Sequence, residues 1–391
     1  MAKKSNSQTT REFWNTARSH GACLDFSVLA NLAVAILSVN VLAKDQNKTQ
    51  LPGQLFGRLL SSENPDIEFF LEQTKNSKTS PWLRPLTPNL TPAGGGLLAT
   101  FEGHSDSVLA VAYAPDGKRA ISASGDHTLK LWNLETGKQE RTFEGHSDSV
   151  LAVAYAPDGK RAISASGDHT LKLWNLETGK QERTFEGHSD WVYAVAYAAD
   201  GKRAISASGD NTLKQWDLET GEELHTFTGH SDWVHAVAYA ADGKRAISAS
   251  GDNTLKQWDL ETGEELHTFT GHSDWVHAVA YAADGKRAIS ASGDNTLKQW
   301  DLETGEELHT FTGHSDWVNA VAIAADGKRA ISASRDATLK QWDLETGEEL
   351  HTFTGEISMR SCAFAPDGVT IAAGDEFGRV HFLRLEGSDG E

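Results

Sequence analysis

The chain has 391 residues, of which 39% are hydrophobic and 12 are tryptophan, a composition that excludes an intrinsically disordered protein. Its formal net charge of −19 is unevenly spread: residues 1–96 carry 10 Lys/Arg against 7 Asp/Glu, whereas residues 97–391 carry 26 against 48. The acidic part lacks the basic footprint that nucleic-acid phosphates require, and the two cysteines, Cys23 and Cys362, have no spacing for metal or redox work.

Residues 1–79 read as a small helical region. Phe26–Ala43 is its one apolar run, marginal in length for a membrane span and carrying Ser27, Asn31, Ser38 and Asn40. Ser27, Asn31 and Ser38 fall on one helical face, which suits a soluble helix with a polar stripe; insertion in a membrane or export is the alternative. Leu51–Leu60 follows, and then Asn64 and Pro65 give a helix-start signal ahead of Ile67, Phe69, Phe70 and Leu71. Pro81, Pro85, Pro88, Pro92 and Gly94-Gly95-Gly96 predict a linker over 80–96. With distant cysteines and no complete export signal, the expected compartment is reducing and cytoplasmic.

From residue 97 the chain repeats. Gly-His recurs at a 42-residue step at Gly103-His104, Gly145-His146, Gly187-His188, Gly229-His230, Gly271-His272 and Gly313-His314, and a degraded copy starts at Gly355-Glu356. Such a period means a solenoid or a propeller. In the first unit, Val108–Ala114 alternates small with β-branched or aromatic residues, and Pro115-Asp116-Gly117 turns the chain. Lys118–Ser124, Thr128–Leu134 and Gln139–Phe143 then read as three more strands, divided by Gly125-Asp126 and Thr136-Gly137. No 3.6-residue apolar stripe survives these turns, which rules out a helical repeat.

Gly-His, Pro-Asp-Gly or Ala-Asp-Gly, Ser-Gly-Asp, and Trp-Asn-Leu or Trp-Asp-Leu in this order resemble the WD-repeat (WD40) family, over three quarters of the chain. The resemblance implies an all-β, seven-bladed WD40-type β-propeller over 97–391, with the small α-helical region ahead of it. Seven first strands begin near Val108, Val150, Val192, Val234, Val276, Val318 and Met359. Leu98–Glu102 matches the outer-strand sequence of the other units, so residues 97–102 are expected to complete the seventh blade and close the ring. The head and linker also resemble segments before recently amplified arrays of this family in large bacterial (cyanobacterial-type) signalling proteins.

His, Ser and Asp in fixed order suggest a hydrolase triad, but six copies with no Gly-x-Ser-x-Gly elbow do not make one. The resemblance instead assigns His104, Ser124 (or Ser122), Asp126 and Trp132 to a structural hydrogen-bonded tetrad that ties strands together. In the last unit Glu356, Phe377 and Leu383 take the His, Asp and Trp places, so that blade is expected to rest on packing and on the closing strand. His225, His267, His309 and His351 lie one per blade, too far apart to share an ion. No catalytic residue, metal or cofactor is expected.

The positions that refuse to repeat are more informative. Ser107 and Ser149 are followed in later units by Trp191, Trp233, Trp275 and Trp317; Leu109 and Leu151 by Tyr193, His235, His277 and Asn319; and five glycines, from Gly125 to Gly293, by Arg335. The resemblance places these residues at the rim of the central channel. Trp, Tyr and Arg dominate binding hot spots, so the reading is a non-catalytic scaffold that binds a protein or peptide there. The alternative is a small-molecule or glycan sensor of a signalling or defence system, since Trp faces suit cations. A monomer is expected, with blade exchange between chains open to near-identical units.

Overall fold

A computed structural model describes residues 82–85 and 101–386, with side chains for 101–383. The helical head and the Phe26–Ala43 segment lie outside the described residues. No helix among the described residues is long and apolar enough to cross a membrane.

The described strands form seven four-stranded antiparallel sheets, the blades of a seven-bladed β-propeller. Blade one runs Val108–Tyr113, Arg119–Ser124, Leu129–Asn133 and Lys138–Phe143, from the inner to the outer strand. The second strand, Arg-Ala-Ile-Ser-Ala-Ser in the first six blades, is buried on both faces because a neighbouring blade covers each side. Small residues are needed there, since facing sheets must approach closely.

No apolar core lies within one blade. Ile121, Leu129, Leu131 and Phe143 of blade one pack with Val150, Val153, Trp174 and Leu176 of blade two, and the same pairing recurs around the ring. The last two contacts use other residues. Blade six meets Met359, Ile371 and Leu383, and blade one meets Ala372, Val380 and Phe382. Gly374 stands where the earlier blades have alanine; a Cβ on it would lie 2.6 Å from Val108 Cγ1, so glycine is what lets blade seven seat against blade one.

Polar groups differ between contacts. Gln215 donates to the Tyr239 hydroxyl of the next blade at 3.3 Å, and Gln257 to Tyr281 at 3.4 Å. Leu131 and Leu173 take the glutamine's place in the first two blades, and there the Tyr155 and Tyr197 hydroxyls are buried without a partner.

Closure of blade seven also draws on a segment that the sequence reads as linker. Trp82–Pro85, assigned above to the linker, runs antiparallel to the third strand of blade seven, from Trp82 opposite Glu386 to Pro85 opposite Leu383. Proline is tolerated because no described strand pairs with the outer side of this one. Residues 97–100 lie outside the described residues. Phe101 forms an isolated bridge with Val380, in the place that Phe143 takes opposite Leu129. Its ring stacks on Trp132 at 5.4 Å and meets Phe382 edge-on at 4.6 Å, so it touches blades one and seven together. Truncating such a buried ring costs roughly 3–5 kcal/mol. Phe101→Ala is expected to lower the melting temperature about as much as Phe143→Ala does; an unchanged melt would show that Phe101 does not help hold the ring closed.

Candidate functional site

In the first six blades a histidine, a serine, an aspartate and a tryptophan form one enclosed network. His104 Nδ1 donates to Asp126 Oδ2 at 2.8 Å. An ionised carboxylate only accepts, so Nδ1 carries the proton and Nε2 accepts from the Ser122 hydroxyl at 2.8 Å. Trp132 Nε1 donates to the same Ser122 oxygen at 2.8 Å. The tetrad serine is therefore Ser122, not the expected Ser124. Both project from one face of the strand, which the sequence cannot resolve, but the register sets Ser124 at the turn, where its hydroxyl donates to the Asp106 carbonyl at 2.9 Å and accepts from Asp126 N at 3.1 Å. Burial pushes the Asp126 carboxyl up, and the hydrogen bonds from His104 and Thr128 outweigh it, holding the group well below the usual carboxylate range. Ser122 is fully buried and engaged by two ring nitrogens, so this Ser-His-Asp row meets no substrate.

Blade seven carries its own network, contrary to the expectation that packing and the closing strand alone support it. Asp375 accepts from Arg379 Nε at 2.6 Å and from His381 Nε2 at 2.9 Å, and Arg379 Nη1 reaches Glu356 at 3.3 Å. Asp375 occupies the place of Ser124 in the strand register, opposite Met359 as Ser124 is opposite Val108. Burial raises its carboxyl, and His381 and Arg379 together bring it below its ordinary value.

The rim residues come together as one aromatic arc over blades three to six. Tyr193 lies 6.1 Å from Trp191 and 5.9 Å from Trp233. Trp233 meets Trp275 at 5.8 Å, and Trp275 meets Trp317 at 6.2 Å. Between them His235 packs on Trp275 at 5.5 Å, His277 on Trp317 at 5.3 Å, and the two imidazoles on each other at 5.4 Å. Arg335 ends the row, its guanidinium 4.0 Å above the Trp317 ring.

Stacking does not hide these rings. Trp191 and Trp233 are 40% exposed and Trp275 36%, while the tetrad tryptophans, from Trp132 to Trp342, are 1% exposed. His235 and His277 each enclose an Nε2 that has no hydrogen-bond partner, and burial pulls both down to about 4. Burial also pushes the Tyr193 hydroxyl up to about 12. Asn319 is committed elsewhere: its Nδ2 donates to the Met359 carbonyl at 2.8 Å, joining blade six to blade seven.

Three rim residues escaped the sequence reading. Arg360 follows Met359 as Asn319 follows Val318, and it pairs with Glu376 at 2.8 Å; Phe377 beside them is 64% exposed. The seventh unit has one residue fewer before its first strand, so alignment on Gly355 misplaces them, whereas alignment on Met359 recovers Arg360.

The family model described as WD domain, G-beta repeat matches residues 95–133, 137–175, 179–217, 221–259, 263–301 and 305–343. The chain is 39% identical over 77 residues to a ribosome biogenesis protein ytm1 of Pyrenophora tritici-repentis, which is 19% of this chain and 17% of that protein. It is 51% identical over 37 residues to a Notchless protein homolog of Arabidopsis thaliana, 10% of this chain and 8% of the relative. Over 39 residues it is 54% identical to the small ribosomal subunit protein RACK1 of Candida albicans, 10% of this chain and 12% of the relative. The chain thus spans less than a fifth of the length of each of these relatives.

The rim histidines set a pH dependence. An unfolded histidine takes up a proton near pH 6.5, whereas His235 and His277 in the fold wait until about 4. Between those values the unfolded chain binds more protons, so the stabilisation from this pair is complete above pH 6.5 and is lost as pH falls toward 4. The double variant His235→Asn, His277→Asn is expected to melt with a shallower dependence on pH in that window. Equal slopes in thermal melts of the two proteins would refute the assignment.

Proposed function

This chain belongs to the WD-repeat family, and on that footing we propose that it is a non-catalytic scaffold whose channel-rim face docks a protein or peptide partner. The observation that carries the reading is the contrast between two sets of tryptophans. Those of the tetrads are sealed, while Trp191, Trp233 and Trp275 keep more than a third of their surface in solvent although they stack on one another. A contiguous apolar surface left open at that cost in hydration marks an interaction site. Trp, Tyr, His and Arg are rigid or fork-shaped groups that bury much area for little lost entropy.

Trp191, Tyr193, Trp233, His235, Trp275, His277, Trp317 and Arg335 are the proposed contact residues; Asn319 contributes by fixing blade six to blade seven. Relatives named for ribosome biogenesis and for the small ribosomal subunit support a role in binding partners. The propeller acts as a monomer in this reading, in a reducing, cytoplasmic setting, and residues 1–79 tether it. Residues 229–270, repeated unchanged at 271–312, support the view of a recently amplified bacterial-type array.

The test is affinity purification from native lysate with the wild-type chain and with Trp233→Ala plus Trp275→Ala. The partner should be lost from the double variant while the melting temperature stays within a few degrees, because exposed side chains contribute little to the core. Retention of every captured protein by the double variant would defeat the rim as the docking surface.

A further inference from the structure

Blade six shows how the rim holds a cation. Its Arg335 guanidinium lies 4.0 Å over Trp317, and Trp317 is correspondingly less exposed than the three tryptophans before it. The position of Arg335 is structurally the same as Gly209, Gly251 and Gly293. In all four the backbone N–H donates to the carbonyl of the rim tryptophan, at 2.9 Å to Trp191, 2.8 Å to Trp233, 2.8 Å to Trp275 and 2.9 Å to Trp317. Because three of the four are glycine, no side chain at that position covers Trp191, Trp233 or Trp275.

An aspartate carboxylate sits beside each of these glycines and accepts from the backbone N–H of the rim tryptophan. A Cβ on Gly209 would lie 3.0 Å from the Asp190 carboxyl carbon, one on Gly251 3.2 Å from that of Asp232, and one on Gly293 3.2 Å from that of Asp274. Each site therefore combines a partly exposed tryptophan with a carboxylate at the adjoining glycine, groups that favour a guanidinium. The enclosed Nε2 of His235 lies 3.5 Å from the Gly251 position, and that of His277 lies 3.5 Å from Gly293, an unmet hydrogen-bonding atom in each of two sites of identical sequence.

Building on the docking reading above, we propose that the sites over Trp191, Trp233 and Trp275 each take an arginine of the partner, in the pose that Arg335 already adopts over Trp317. Spacing identifies the form of the ligand. Trp233 and Trp275 are 5.8 Å apart and Trp275 and Trp317 6.2 Å, while Tyr193 lies between Trp191 and Trp233, 6.1 Å from the first and 5.9 Å from the second. Alternate residues of an extended chain project to the same side about 6.5 Å apart. The partner segment is thus an extended strand with arginines at alternate positions over Trp233 and Trp275 and a further arginine over Trp191 beyond Tyr193, stopping at blade six, where the protein's own arginine occupies the last site. Charge agrees with this choice, since residues 97–391 carry 48 acidic against 26 basic residues.

The experiment is a tryptophan-fluorescence titration of the full chain with three synthetic peptides: three arginines alternating with glycine, one arginine in the same glycine frame, and the first peptide with citrulline replacing arginine. The affinity should rise by about tenfold for each arginine added and weaken with salt. The citrulline peptide should not bind. Gly251→Arg would cap Trp233 from within and weaken the three-arginine peptide by about tenfold, while Arg335→Gly would uncover Trp317 and strengthen a four-arginine peptide by a similar factor. Equal binding of the citrulline peptide, or no change in either variant, overturns the proposal. If native-partner capture still depends on Trp233 and Trp275 while the arginine peptides fail, the cation assignment falls and the docking surface stands.

Discussion

Among the described residues the apolar core of each blade is buried against the next blade, and that dependence runs all the way around the ring. Ile121 and Phe143 have no core of their own; they are covered by Val150 and Trp174 of the following unit. A single blade would leave both faces of a small sheet in water, so stability arises at contacts between units and requires that the first contact also be the last. The residues where repetition fails at closure follow from this. Gly374, Ser361 and Phe382 fit blade seven to blade one, and Phe101 bridges both.

Within that frame the tetrads and the rim are two uses of the same residue types. His104 and Trp132 share one serine oxygen in a site closed to solvent, which locks three elements of a blade. His235 and Trp275 pack on each other without such an oxygen, and the imidazole keeps an unmet nitrogen. The tetrad histidines have both ring nitrogens engaged, whereas His235 and His277 share with the Tyr155 and Tyr197 hydroxyls an enclosed polar atom that meets no partner. Blade seven marks the other limit, with its tetrad replaced by the Glu356, Arg379, Asp375 and His381 network and its rim position by Arg360.

Much of this was legible in the residues alone, and the exceptions have physical causes. The blade count and most strand positions follow from turn residues at fixed spacing, because Gly and Asp punctuate the chain locally. The identity of the tetrad serine did not follow: Ser122 and Ser124 share a face, and only the cross-strand register separates them. The outer strand of blade seven was misread at 82–85 because proline usually signals a linker, whereas an edge strand places no demand on its missing N–H. Arg360 was hidden by a one-residue shortening, and the commitment of Asn319 to Met359 depends on a neighbour about forty residues away.

The sequence by itself determined the architecture, since a 42-residue period with four strand signals per unit has one compact solution in which each sheet finds a partner. It also determined which positions differ among otherwise identical units. Tertiary structure decided what those differences amount to: that the rim tryptophans stack and still remain exposed, that Arg335 caps Trp317, and that blade seven carries a substitute polar network. These are contacts between residues one blade or one ring apart, and their geometry exists only once the propeller has closed.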